Sequence, residues 1–245
     1  MNKILHIFLI SLFSLTVISC AKKSSDDSKT TTDNTTTTSS GLFVAVGTEG
    51  TLLTSSDGAN WTAQTSGTSN NLRAVAYGNS ILVVVGYSGT VLRSTDGTTW
   101  NDATALSTTT DNLTNVTYGN NTFMAVGNSG TILTSSDGTT WSSKTSGTSE
   151  DLWGVTYGNS TWVTTGDNET FLTSSDGTTW TSRTTSGATV NSEVIYANST
   201  FVALGLNGTI LTSSEGTSWD NRTSGTTEHL LAGIYGSNTF VVVGW

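Results

Sequence analysis

The chain repeats itself. Tryptophans at 61, 100, 141, 180 and 219 are spaced by 39, 41, 39 and 39 residues. A Tyr followed by Gly or Ala recurs at 77, 118, 157, 196 and 235. Apolar runs ending in Gly keep the same period: FVAVG at 43–47, LVVVG at 82–86, FMAVG at 123–127, WVTTG at 162–166, FVALG at 201–205 and FVVVG at 240–244. Three markers on one period restrict the chain to architectures in which one supersecondary unit stacks on copies of itself.

Each unit is too short and too rich in Gly for helices. Its apolar runs are rich in Val, Ile, Phe and Tyr and are bounded by Gly, Asn, Ser and Asp, which are strand signals. Residues 72–104 read as four strands: LRAVAY, ILVVVG, TVLRS and TWNDA, separated by GNS, YSG and TDGT. The expected fold class is all-β, a β-propeller of four-stranded repeats of about 40 residues spanning 41–245. A solenoid of stacked hairpins is the alternative. Stacked blades should bury Val75, Leu92, Trp100 and their equivalents between sheets. The domain opens on the second strand of a unit and closes on a first and second strand. Five blades are expected, with the last inner strand completing the first sheet, because closure removes open edges. Six blades, one partial, is the other solution.

The most repetitive stretch lies between the third and fourth strands: SSDGANW at 55–61, STDGTTW at 94–100, SSDGTTW at 135–141 and 174–180, and SSEGTSW at 213–219. A Gly after the acid supplies positive φ cheaply, the carboxylate accepts backbone N–H bonds across its own turn, and the Trp covers apolar surface. Asp57, Asp96, Asp137, Asp176 and Glu215 are thus expected to be turn residues, with Trp61, Trp100, Trp141, Trp180 and Trp219 as their apolar lids. The motif resembles the Asp-box, or BNR repeat, of sialidase-like propellers. It departs by one residue, since the usual Ser-x-Asp-x-Gly-x-Thr-Trp has a residue between Asp and Gly. With the preceding GTIL it also resembles the photosystem II assembly-factor-like propellers. In these families Asp-boxes are peripheral structural turns. A calcium loop needs alternating oxygen ligands and a closing bidentate acid, so no metal is expected here, and no cofactor.

The N-terminus carries Lys3, an apolar run over 4–18 and then Ser19 and Cys20. A run of 15 residues is short of the roughly 20 that span a bilayer, so 1–19 reads as a secretory signal. VISC at 17–20 resembles the lipobox of bacterial lipoproteins, which implies cleavage before Cys20 and a lipid on its thiol. Cys20 is the only cysteine, which excludes a disulfide framework. Ala21, rather than Asp, resembles the outer-membrane sorting pattern. Residues 20–40 are expected to be a tether, since 22–40 contain no apolar side chain. The expected address is the bacterial cell envelope, at the outer membrane or cell surface, with the membrane held only through the lipid.

Without Lys3, 8 basic residues face 18 acidic ones. That balance argues against nucleic acid, which needs a basic footprint. The sialidase resemblance implies three arginines on a substrate carboxylate, a Tyr–Glu pair and an Asp acid. The chain has only four arginines: Arg183 and Arg222 in an outer-strand column, Arg93 in a third strand and Arg73 at the start of an inner strand. His229 is the only histidine beyond the signal, and zinc has no ligand set. No catalytic residue is assigned and the protein is expected not to be an enzyme. A paired-carboxylate glycosidase is the alternative.

Comparison among the copies directs attention to one face. The turns after the first and third strands barely vary, whereas the loops on the opposite face diverge, and such loops carry function on rigid scaffolds. The expected contact residues are Arg73, Tyr87, Glu150, Asp151, Trp153, Asp167 and Glu169. Arg73 and Trp153 belong to the column four residues before the Tyr marker. Their partner is expected to be a protein or a glycan, neutral or cationic, bound by a monomer. An assembly factor for a membrane complex is a further reading, from the photosystem-factor resemblance.

Overall fold

The computed structural model describes residues 20–22, 41–104, 108–184 and 189–245. The signal segment 1–19 and most of the tether, 23–40, lie outside the described residues.

Strands follow the repeat. The first sheet holds β1 (Cys20–Lys22), β2 (Phe43–Val46), β3 (Leu52–Ser55) and β4 (Thr62–Ala63). The second holds β5 (Leu72–Gly78), β6 (Ile81–Gly86), β7 (Val91–Ser94) and β8 (Asn101–Asp102). The third holds β9 (Leu113–Gly119), β10 (Thr122–Gly127), β11 (Ile132–Ser135) and β12 (Ser142–Lys144). The fourth holds β13 (Leu152–Gly158), β14 (Thr161–Gly166), β15 (Phe171–Ser174) and β16 (Thr181–Ser182). The fifth holds β17 (Val194–Ala197), β18 (Thr200–Leu204), β19 (Ile210–Ser213) and β20 (Asp220–Arg222), and the sixth only β21 (Leu230–Gly236) and β22 (Thr239–Gly244). Every neighbouring pair is antiparallel. The architecture is a β-propeller.

Local chemistry sets the hairpins. Each first turn places two residues at positive φ, such as Asn79 (47°) and Ser80 (61°), or Ser237 (47°) and Asn238 (60°). Two such residues make the tight turn whose twist matches that of the strands. The Gly of the Tyr–Gly marker has a packing reason. A Cβ on Gly78 would lie 2.0 Å from the Tyr118 ring of the next sheet, and Gly158 meets Tyr196 in the same way.

Five apolar clusters join successive sheets. Val44 and Leu52 meet Leu72, Val75, Leu92 and the half-buried Trp100. Val83 and Val85 meet Leu113, Phe123 and the buried Trp141. The remaining clusters join the third sheet to the fourth, the fourth to the fifth and the fifth to the sixth. Val75, Leu92 and Trp100 therefore bury where the repeat places them.

Closure differs from expectation. Leu230–Gly236 does not complete the first sheet. It pairs with Thr239–Gly244, and the inner place of the first sheet is taken by Cys20–Lys22, with Cys20 opposite Ala45. The five-blade closure is thus replaced by six sheets, the sixth a two-stranded part. Leu230–Gly236 instead keeps its local partner, joined to it by the two-residue turn Ser237–Asn238. None of the described clusters joins the sixth sheet to the first.

Candidate functional site

The Asp-box is a turn in every copy. Ser135 Oγ–H donates to Asp137 Oδ1 at 3.0 Å, and the N–H groups of Thr139 and Thr140 donate to the same oxygen at 2.8 and 2.9 Å. Asp57, Asp96 and Asp176 repeat this pattern. These bonds favour the charged form, so all four carboxyls are held below the ordinary carboxylate range, chiefly by backbone N–H donors. Gly58, Gly97, Gly138, Gly177 and Gly216 carry the positive φ. Trp61, Trp100, Trp141 and Trp219 each donate Nε1–H to the carbonyl of that Gly, at 3.0–3.4 Å. Trp180 Nε1 is buried without a partner. Glu215, one methylene longer, instead accepts from the Thr217 hydroxyl at 2.8 Å.

On the opposite face the inner strands carry a device that the repeat hides. The pairing of β5 with β6 shifts between Leu72 and Ala74, leaving Arg73 as an extra, bulged residue. Trp153 and Leu231 stand in the same kind of break, and Thr114 is skipped between Leu113 and Asn115. A bulge re-aims a side chain. Here the bulged residues line a cavity of about 300 Å³, where Arg73, Thr114, Trp153 and Leu231 converge.

The fifth sheet exaggerates the break. Five residues before the Tyr marker the chain has Leu72, Leu113, Leu152 and Leu230, all buried, but Asn191 in the fifth copy. An Asn cannot fill the apolar site, and Val190, 1 % exposed, fills it instead. Thr189 O then accepts from Leu206 N–H as Asn71 O accepts from Tyr87 N–H. Two residues, Asn191 and Ser192, occupy the place of one, and Glu193 takes the position of Ala74 and Ala232 on the cavity wall. Gly233 N–H donates to Glu193 Oε2 at 2.7 Å. Desolvation outweighs that bond and pushes the Glu193 carboxyl up to about 7.

Of the seven residues expected on the binding face, Arg73, Trp153 and Asp167 line the cavity. Trp153 Nε1–H donates to Asp167 Oδ1 at 2.7 Å. Tyr87 stands beside the cavity with Arg73 stacked on its ring, 5.6 Å from guanidinium carbon to centroid. Glu150, Asp151 and Glu169 lie outside the lining. Glu150 accepts from Asn168 Nδ2 at 2.7 Å, and Asp151 accepts from Asn128 Nδ2 at 2.8 Å and Ser129 N–H at 2.9 Å. Glu169 is an exposed turn residue with φ 60°. Asn191, Glu193, His229 and Trp245 also line the cavity; sequence reasoning placed Asn191 and His229 in the divergent loops but assigned none of the four as a contact. The Asn in a Leu column was the available signal for the first two.

Two buried polar atoms of the lining have no partner: Arg73 Nε and Asn191 Oδ1. Such atoms are costly to leave unpaired, and both lie beneath the accessible surface. The other arginines are engaged elsewhere: Arg93 Nε–H donates to Asp137 O, Arg183 Nε–H to Thr173 Oγ1 and Arg222 Nε–H to Thr212 Oγ1. Arg222 also pairs with Asp220 at 3.0 Å. No three arginines converge. Among the described residues no cluster of His, Cys, Asp and Glu could hold a metal ion.

Residues 66–184 match the family described as the DUF6242 beta propeller domain. No curated protein sequence matches the chain. Among solved structures, YCF48 bound to D1 peptide superposes with a TM-score of 0.66 at 18 % identity, over 83 % of this chain and 71 % of that one. YCF48 from Cyanidioschyzon merolae gives 0.56 at 16 % identity, over 96 % and 94 %. A chain of the nidogen/laminin complex gives 0.64 at 11 % identity, over 83 % and 85 %. At these identities the likeness is one of fold: the chain is a β-propeller, as YCF48 is.

Proposed function

We propose that this propeller is a non-enzymatic binding scaffold, exported and anchored by a lipid on Cys20, that holds a protein partner at its axial cavity. The observation that carries the reading is the cavity itself: it joins indole and aliphatic walls to the polar residues Arg73, Asp167 and Asn191. Ligand sites are mostly apolar concavities with a few converging polar groups. A peptide on YCF48, a propeller of the same fold, supports a polypeptide as the occupant. The anchor reading stands on the sequence alone, and Cys20→Ser should release the protein from the membrane fraction. For the partner, a double change of Arg73 and Trp153 to Ala should abolish capture of envelope proteins in a pull-down while leaving the melting temperature unchanged. Equal recovery by both proteins would return the cavity to an unused surface.

One observation favours a second reading. A buried carboxyl raised to about 7 in a cavity, as Glu193 is, has the character of a general acid in glycoside hydrolysis. Against it, Asp167 is tied to the Trp153 indole, and the arginine set of a sialidase is absent from the cavity. Turnover of fluorogenic glycosides, lost in Glu193→Gln, would replace the scaffold with an enzyme.

A further inference from the structure

We infer that the free edge of β22 is a docking site for an extended segment of a partner polypeptide, added antiparallel to the strand and carrying a Leu opposite Val242. The site is separate from the axial cavity. Each four-stranded sheet continues from its second strand to a third, but among the described residues β22 pairs with β21 alone. Thr239 closes the turn onto Gly236, so its backbone groups face β21. Successive residues of a strand turn their backbone groups to opposite neighbours, and Phe240 and Val242 therefore present N–H and C=O to the open edge. An apolar edge with unpaired backbone groups is a template for another strand.

The other sheets show what such an edge takes. The third strands read LLTS, VLRS, ILTS, FLTS and ILTS, with Leu always second. That Leu stands opposite the residue equivalent to Val242: Leu92 opposite Val84, Leu133 opposite Ala125, Leu172 opposite Thr164 and Leu211 opposite Ala203. Its side chain packs on the preceding sheet, in one cluster with the first residue of that sheet's third strand. Leu92 joins the cluster of Leu52, Leu133 that of Val91, Leu172 that of Ile132 and Leu211 that of Phe171. Leu52, Val91, Ile132 and Phe171 are all buried. Ile210 holds the same place in the fifth sheet, where no such Leu follows, and it is only half-buried. A Leu on a strand added to β22 would cover it. The first and third residues of that strand turn to the other face, beside the exposed Val241 and Val243, and are less constrained. The tether cannot supply the segment, since residues 22–40 carry no apolar side chain. A second copy has none to lend either, because each of its third strands is already paired on both sides.

The test is a fluorescence-anisotropy titration of the purified full chain into the labelled, blocked peptide Gly-Thr-Ile-Leu-Thr-Ser-Ser, the sequence of residues 130–136. Binding should saturate. Asp in place of the peptide's Leu should weaken it at least about tenfold, because a carboxylate would then be buried against Ile210. Thr in place of its Ile, on the face turned to water, should weaken it less than about threefold. On the protein, Val242→Pro removes an N–H that faces the open edge and none that bonds to β21, a place where edge strands tolerate Pro. It should weaken binding at least about tenfold, since it removes a backbone donor and sets a ring against the incoming strand. Ile210→Thr leaves both strands of the sixth sheet intact and should weaken binding at least about threefold, which keeps the test decisive if Val242→Pro loosens the hairpin. No saturable binding, equal affinity for the Leu and Asp peptides, or affinity kept in both protein variants would overturn the inference. Affinity lost in the double Arg73 and Trp153 variant would place the peptide in the cavity and overturn it too. So would a dimer in sedimentation that Val242→Pro dissolves, since the edge would then belong to a second copy.

Discussion

Asp137 and Trp141 stand in one loop and stabilise it by different means. Asp137 is exposed and its side chain acts only through hydrogen bonds to its own turn, so Asp137→Ala should cost about 1 kcal/mol. Trp141 is 2 % exposed, and its removal leaves a cavity between two sheets, at about 3–5 kcal/mol. The same change at Trp61, 40 % exposed in the corresponding motif SSDGANW, should cost under about 1 kcal/mol. Urea denaturation of the three variants checks the order. The carboxyls also give stability a two-sided pH profile. The Asp-box groups are depressed in the fold, so their contribution is present above the ordinary carboxylate pKa and is lost as pH falls through their lower folded values. Glu193 runs the other way. Its folded value is about 7 against an ordinary 4.5, so it contributes fully below 4.5 and loses that contribution as pH rises to 7. The loss is no more than about 3 kcal/mol. Glu193→Gln keeps an acceptor for Gly233 N–H and should flatten the melting temperature between pH 4.5 and 7 while leaving the acid limb unchanged. A wild-type fall that persists in Glu193→Gln would assign it to another group.

At the scale of the element, four of the five loops that diverge in sequence obey one rule in structure. Asn71, Asn112 and Asp151 each offer Oδ1 to the N–H of Glu49, Ser88 and Ser129, at 3.0, 3.0 and 2.9 Å, and His229 offers Nδ1 to Asn207 N–H at 3.3 Å. The donors stand at φ of 53–56°. Each bond ties the loop of one blade to the next. Comparison of the copies could not show this, because the rule asks for an acceptor atom at one position and tolerance of positive φ at the other. Asn, Asp and His meet the first, and several polar residues meet the second. Part of the apparent divergence is thus structural, and Asp151→Ala should cost about 1–2 kcal/mol. Asp151→Asn keeps the bond from Ser129, gives up the one from Asn128, and should lose about half as much, as read by chemical denaturation. The strands themselves were legible, since short runs rich in Val, Ile, Phe and Tyr, a first turn of Asn and Ser and a later Asp-Gly or Glu-Gly turn recur along the chain. The column holding Arg73 and Trp153 was legible as variable but not as bulged. Glu193 was hidden because counting back from the Tyr marker puts Ser192 in that column, and only the need to fill an apolar site moves Val190 in and Glu193 to the wall.

For the molecule as a whole, the decisive question is whether the stack closes. Along it, equivalent residues of the second strands are buried by the following sheet: Val83, Val85, Met124 and Val126 are 0 % exposed. In the sixth sheet the same positions, Val241 and Val243, are 51 % and 58 % exposed, and Ile234 is 65 % exposed. Their neighbours Phe240 and Val242 face the fifth sheet and pack on Val202 and Leu204, so the strand is amphipathic by partner rather than by sequence. Trp61, whose counterparts lid the contact with the preceding sheet, is the most exposed Trp of its motif for the same reason: among the described residues no preceding sheet covers it. The sequence could not reveal this, since FVVVG at 240–244 is as apolar as LVVVG at 82–86. Val→Thr substitutions read the difference directly, because a hydroxyl costs about 1–3 kcal/mol where it is buried without a partner and little in water. Val83→Thr should lower stability by that amount. Val241→Thr and Val243→Thr should stay within about 0.5 kcal/mol of the wild type. Val242→Thr should fall between, since its side is half-buried. If Val241→Thr instead proves as damaging as Val83→Thr, the outer face of the sixth sheet is covered in solution.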